Sequence, residues 1–220
     1  MRHPCQDTAV LPDNDSQPSA HYFDEQPSVP SHPSVIDVTL PDTAFALETD
    51  RGVFSHGHLD NATSMLLRAE LPLATSGDVL DLGCGAGPIA MAMARRSPAA
   101  TVWAVDVNLR ARELTARNAR RNELSNVRVI APGELPQEIR FATIWSNPPI
   151  RVGKSALHDL LLDWLGRLTP AGTACLVVQK HLGGDSLQRW LDSQGYLTRR
   201  LASKSGNRLL EIRNPPLEKP

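Results

Sequence analysis

Cysteine is scarce: Cys5, Cys84 and Cys175 are the only three in 220 residues. They are far apart and share no metal-ligand spacing, so neither a disulfide framework nor a zinc site is expected, and a reducing cytoplasm is the default compartment. His56 and His58 flank a glycine with no further ligands nearby, so no metal is expected there either. Long apolar runs are missing as well. Nothing approaches the roughly 18–20 residues needed to cross a bilayer. The start, MRHPCQDTAVLPDNDSQP, has no basic head ahead of an apolar core, which argues against a secretory signal. Nor is there an excess of charge. With 23 Lys+Arg against 24 Asp+Glu the formal net charge is −1, which removes a global pull toward nucleic acid and leaves room only for local basic patches.

Proline, by contrast, is plentiful, and much of it is N-terminal. Pro4, Pro12, Pro18, Pro27, Pro30 and Pro33 recur among Ser, Asp, Gln and Asn. Residues 1–33 therefore read as a flexible tail that buries too little apolar surface to offset its ordering entropy. His21-Tyr22-Phe23 is the exception, a pair of aromatics free to dock or to stay exposed. Residues 34–76 read as an extension: VIDVTL and AFALETD alternate like two strands around Pro41-Asp42. NATSMLLRAELPL follows with helical spacing, capped by Asp60 or Asn61. Residues 77–214 alternate strand and helix. Strands are expected at DVLDLG, TVWAVDV, VRVIA, ATIWSN and GTACLVVQ, and helices between them, before a closing hairpin around Ser205-Gly206. Repeated strand–helix units need crossovers and so imply an α/β fold with a mostly parallel sheet.

The first of these strands ends in Asp81-Leu82-Gly83-Cys84-Gly85-Ala86-Gly87-Pro88 and opens a helix. Glycine allows a tight turn and close backbone approach to a ligand, and proline suits the first helical position. Asp106 closes the second strand near the offset expected for a carboxylate that binds ribose hydroxyls. The spacing is G-x-G-x-G, with Pro88 at the third dinucleotide glycine position. That argues against a nicotinamide or flavin dinucleotide. Asp81 beside the loop disfavours a pyrophosphate and suits a cationic ligand; S-adenosylmethionine carries both a sulfonium and an ammonium. The alternative is a tight turn with Asp81 merely capping it.

Strand ATIWSN runs into Asn147-Pro148-Pro149-Ile150 at the carboxyl edge, beside the glycine loop. The prolines stiffen this turn and remove two donors. What is left is a rigid set of acceptors, the Asn147 side-chain oxygen and the Pro148 carbonyl. Such acceptors suit an amine on an aromatic ring, whose lone pair is delocalised. Binding its two N–H groups favours a pyramidal nitrogen aimed at an electrophilic methyl.

These residues carry a resemblance. DVLDLGCGAGPIA followed by VWAVDVN resembles motifs I and II of the class I S-adenosylmethionine-dependent methyltransferases. SNPPIRVGKSALHDLL and HYFDEQPSV…GVFSHGHLDNATSMLL resemble the methyltransferase small domain family, especially its ribosomal RNA guanine-N2 members. The likeness spans about residues 21–214 and is closest to a short, single-domain branch. It implies a Rossmann-like fold with a seven-stranded, mostly parallel sheet and an antiparallel C-terminal edge hairpin. It implies S-adenosylmethionine as cofactor, held by Asp81, Gly83, Cys84, Gly85 and Gly87 at the methionine end and by Asp106 at the ribose. Val107 and Asn108 would border the adenine. Asn147, Pro148, Pro149 and Ile150 would form the catalytic turn, with Asn147 also near the cofactor. Ribosomal RNA or a ribosomal particle is the implied partner, with Arg151 and Lys154 on the RNA.

Two positions depart from the family pattern: Phe141-Ala142 stands for Phe-Asp, and Ala131-Pro132-Gly133-Glu134 replaces an acidic adenine contact that Glu134 would have to supply. Other readings keep the fold but change the acceptor to a protein glutamine or a small amine, or drop catalysis and leave a cofactor-binding scaffold. Of the basic residues, Arg110, Arg112, Arg117, Arg120 and Arg121 read first as a solvated helix face. Phe54 either closes over the ligand or anchors the core. Trp103, Trp145, Trp164 and Trp190 read as core, and His158 as structural.

Overall fold

A computed structural model of the chain describes residues 29–149, 153–180 and 184–215. The expectations for Cys5, His21-Tyr22-Phe23, Ile150 and Arg151 concern residues outside these ranges. Strands β1 (Ser34–Thr39) and β2 (Ala44–Thr49) form an antiparallel hairpin, followed by helix α1 (Asn61–Arg68). The remaining elements are β3 (Ser76–Leu82), α2 (Pro88–Arg96), β4 (Ala99–Val105), α3 (Leu109–Arg121), β5 (Val127–Ile130), β6 (Phe141–Ser146), α4 (Lys154–Leu165), β7 (Leu168–Gln179), α5 (Gly184–Ser193), β8 (Leu197–Lys204) and β9 (Asn207–Arg213).

The main sheet has seven strands in the order β5-β4-β3-β6-β7-β9-β8. The first five run parallel, and β9 is antiparallel to both β7 and β8, as the closing hairpin requires. Ser205 and Gly206 both take positive φ, +48° and +76°, the geometry of the tight turn that twists with such a hairpin. Apolar side chains fill both faces. Residues from α1, α2, α3 and the β1–β2 hairpin make one core layer; residues from α4 and α5 make the other.

Helix α1 stops at Arg68, five residues short of the sequence expectation. Pro72 is the reason, because a proline cannot continue the hydrogen-bond ladder and restricts the residue before it. Helix α4 stops at Leu165, and β7 starts at Leu168, earlier than expected. Pro170 is accommodated where the pairing with β6 shifts register, between Phe141 and Thr143.

The end of the expected tail is tied to the body. Ser31 Oγ and the His32 N–H both donate to the buried Asp50 carboxylate, and Arg110 donates to the carbonyls of Val29 and Arg51. Asn118 fastens the hairpin to α3. It is fully buried, accepts from the Glu48 N–H, and donates to the carbonyls of Glu48 and Ala86. Arg117 and Arg121 add ion pairs of 3.1 Å to Glu48. Arg110, Arg117 and Arg121 thus have partners in the N-terminal segment, while Arg120 and Arg121 stay exposed on a face that is still partly solvated.

Candidate active site

Chain order departs from strand order at β3, since β4 lies on one side and β6 on the other. In open α/β sheets a crevice forms at the carboxyl ends of such strands. Leu82 and Ser146 are paired there, and the Ser146 hydroxyl donates to the Leu82 carbonyl at 2.6 Å. The glycine loop and the Asn147 turn thus leave the sheet side by side. Between them lies a cavity of about 510 Å³.

The loop is shaped mostly by its own backbone. The N–H groups of Gly83 and Cys84 donate to the Val105 carbonyl, and the Gly85 N–H donates to Asp106 Oδ2 at 2.9 Å. Gly83 has φ +74°, and a Cβ there would meet nothing within 4 Å, so that side of the loop is open for a ligand to approach the backbone. Gly87 has φ +86° for a different reason: a Cβ would strike the Thr115 side chain at 2.8 Å. Thr115 in turn donates to the Gly85 carbonyl.

The cavity wall includes Gly83, Cys84, Gly85, Asp106, Val107, Asn147, Pro148 and Pro149. Asp81 and Gly87 stand behind the loop and are not part of the wall. Asp81 is fully buried. Its Oδ2 accepts from the Ala90 N–H at the start of α2, and its Oδ1 is buried with no partner. Burial is the main cause that pushes its pKa up to about 8, against the lowering effect of the Ala90 bond; the charge of Asp106 adds to the rise. Burial likewise raises the pKa of Asp106, although the Asn108 and Gly85 N–H groups favour its charged form. Cys84 is pushed well above the usual thiol range by burial and by both carboxylates, so it lines the cavity as a neutral thiol.

Asp60 supplies the cap of α1, its Oδ2 accepting from the Thr63 N–H at 2.9 Å. The same oxygen accepts from Asn147 Nδ2 at 3.0 Å, and the Thr63 hydroxyl oxygen accepts from Nδ2 at 3.0 Å. The sequence marked Asp60 only as a cap and gave Thr63 no role; their link to Asn147 spans 84–87 residues, so no local spacing reveals it. The opposite wall includes Leu160, Trp164 and Pro132. Glu134 does not face this wall. Its carboxylate turns back to accept from the Ala131 N–H, which removes it as a stand-in for the missing acidic contact. Phe54 lines the cavity and is 47% exposed, so it is no core anchor. Lys154 begins α4 at an exposed position off the wall.

Trp145 and Trp164 are buried, as expected; Trp103 is half-buried and donates to Asp78, and Trp190 stacks on His158 at 3.6 Å. Among the described residues no group of three or more His, Cys, Asp or Glu is placed to hold a metal ion. No described helix is long and apolar enough to cross a membrane.

A sequence model of the methyltransferase small domain matches residues 44–206. The chain belongs to the methyltransferase small domain family. The family's enzymes transfer methyl groups, and the chain is a methyltransferase. Among its relatives is a Bacillus subtilis (strain 168) protein, YbxB, 34% identical over 171 residues that cover 76% of this chain and 85% of YbxB. Ribosomal RNA small subunit methyltransferase C of Pseudomonas aeruginosa (strain LESB58) is 32% identical over 182 residues, 76% of this chain and 52% of that protein. The solved structure of a Thermus thermophilus 16S rRNA N2 methyltransferase, in complex with AdoMet and guanosine, superposes with a TM-score of 0.71 at 25% identity. It covers 86% of this chain and 52% of that one. This small-domain chain thus spans about half the length of the ribosomal RNA methyltransferases it matches.

Proposed function

We propose that this methyltransferase uses S-adenosylmethionine and methylates the exocyclic N2 of a guanine in ribosomal RNA. The observation that carries the reading is the shared cavity: the glycine loop and Asp106 form one part of its wall, and Asn147-Pro148-Pro149 another. The open side of Gly83 lets a ligand approach the loop backbone closely. Each Asp106 oxygen takes one backbone N–H and keeps a lone pair for a ribose hydroxyl. Val107 and Pro132 supply apolar wall for the adenine. The relatives named for ribosomal RNA, and the neighbour holding AdoMet and guanosine, support the same assignment.

S-adenosylmethionine supplies a methyl group on a positively charged sulfur, ready for attack by a nucleophile. The chain's part is to present that nucleophile. The Asn147 side-chain oxygen and the Pro148 carbonyl accept the two N–H groups of the guanine amine. The nitrogen lone pair is thereby turned out of conjugation and toward the methyl. As the C–N bond forms, charge grows on the nitrogen beside these two fixed oxygens, where it is stabilised. The alkylated nitrogen is acidic and sheds its proton without a strong base. A base in a helix cannot reach this turn, so the target leaves its stack. Lys154, and Arg151 next to the turn, would hold the phosphates.

The test is Asn147→Ala with tritium-labelled S-adenosylmethionine and ribosomal RNA from cells lacking the gene. Methyl transfer falls by about 100-fold or more, as for loss of a preorganised charge-stabilising group, while calorimetry finds cofactor affinity within about threefold. Full activity in this variant sinks the assigned role. Labelling of a protein fraction instead of RNA redirects the acceptor.

A further inference from the structure

The Asn147 amide has a chemistry problem that the turn itself does not solve. An asparagine side chain offers an acceptor at one end and a donor at the other, and rotation by half a turn exchanges them. Only the acceptor end can bind an amine N–H; the donor end repels it. Two prolines fix the backbone but leave that rotation free.

We propose that Asp60 and Thr63 are positioning residues that lock the Asn147 amide with its oxygen facing the acceptor amine. This rests on the role given to Asn147 above. The Asp60 carboxylate is acceptor-only. It stands 3.0 Å from Nδ2, and the Thr63 hydroxyl oxygen stands 3.0 Å from the same atom. Both protons of the amide nitrogen are thereby engaged. Rotating the amide would set its oxygen against a carboxylate oxygen with no proton between them. Among the described residues no donor reaches Asn147 Oδ1, which leaves it for substrate. Asp60, Thr63 and Asn147 all line the cavity.

Asp60 is itself held, because its Oδ2 also takes the Thr63 N–H as the cap of α1, and Thr63 is only 4% exposed. The start of α1 is thus a rigid bracket for a side chain more than eighty residues away. The capping task alone does not demand aspartate, since serine caps a helix as well. Serine, however, is too short to reach Asn147 and cap the helix together. This difference separates the two tasks.

The experiment compares Asp60→Ser, Thr63→Val and the double variant with the wild type. The probe is ribosomal RNA from cells lacking the gene, with labelled S-adenosylmethionine. Each single variant lowers kcat about 5- to 10-fold and the double about 50-fold or more. RNA KM and cofactor affinity stay within about threefold, and the melting temperature within a few degrees. Thr63→Ser and Asp60→Asn, which keep an acceptor oxygen in place, recover most of kcat. In an Asn147→Ala background, Asp60→Ser lowers the residual rate no further.

A second readout needs no substrate. The Asn147 side-chain NH2 signals, assigned by their loss in Asn147→Ala, are slow to exchange with solvent in the wild type and fast in the double variant. A wild-type kcat in the double variant, or rapid exchange of these protons in the wild type, overturns the proposal even while Asn147→Ala remains impaired. An active Asn147→Ala overturns the underlying reading instead.

Discussion

Asp81 makes the pH dependence of stability a sharp test of how the glycine loop is built. Its carboxyl is fully buried, with one oxygen unpartnered and its pKa raised from 3.8 to about 8. The folded protein therefore holds this proton while the unfolded chain has lost it. Across that interval the folded state binds more protons, so stability falls as pH rises. The contribution is most favourable below about pH 4, declines from there to about pH 8, and then levels off. Each pKa unit corresponds to about 1.4 kcal/mol. Between pH 5 and pH 8 the group withdraws about 4 kcal/mol, a large part of the 5–15 kcal/mol that usually holds a domain together. Asp81→Asn can still accept from the Ala90 N–H but does not titrate. Denaturant unfolding of both proteins at pH 5, 6, 7 and 8 isolates the group, because every other carboxylate is common to the pair. The variant gains on the wild type by about 4 kcal/mol over that range. On the proposed placement of the cationic end of S-adenosylmethionine near the loop, saturating cofactor favours the Asp81 carboxylate and flattens the difference. Parallel stability curves for the two proteins would falsify this account of Asp81.

Two further substitutions probe the frame around the cavity. Gly87→Ala places a methyl 2.8 Å from Thr115 at φ +86°, and left-handed strain plus overpacking cost about 2–5 kcal/mol; pairing it with Thr115→Ala recovers the overpacking share but not the backbone share, read by denaturant unfolding. Asn118→Ala removes three hydrogen bonds and leaves buried backbone groups of Glu48 and Ala86 unpaired. It costs about 3–5 kcal/mol and weakens cofactor binding measured by calorimetry, because the Ala86 carbonyl belongs to the glycine loop.

The sheet was legible in the sequence because its signals are local. Apolar strands, Pro88 at a helix start and a glycine run each act over a few residues, and their alternation dictates crossovers. The glycine loop, Asp106 and the diproline turn were legible for the same reason, since each sits where a strand ends. What stayed hidden depends on tertiary contact. That Asp81 backs the loop rather than facing the cavity follows from its pleat direction and the approach of α2. Glu134 has a capping partner one turn away that no charge pattern announces. The arginines of α3 looked free because Glu48 and the carbonyls they bind lie in the N-terminal hairpin and its flanking loop. Asp60 read as a helix cap, which it is; its second task appears only when β6 brings Asn147 alongside.

The central claim is that oxygen acceptors at the Asn147 turn present a guanine amine to a methyl donor. Its most direct measurement is nucleoside mass spectrometry of ribosomal RNA from cells without this gene, re-supplied with the wild type or with Asn147→Ala. The account predicts that one N2-methylguanosine disappears with the gene, returns with the wild type and stays absent with the variant. Unchanged N2-methylguanosine on deletion, or its full return with Asn147→Ala, would contradict it.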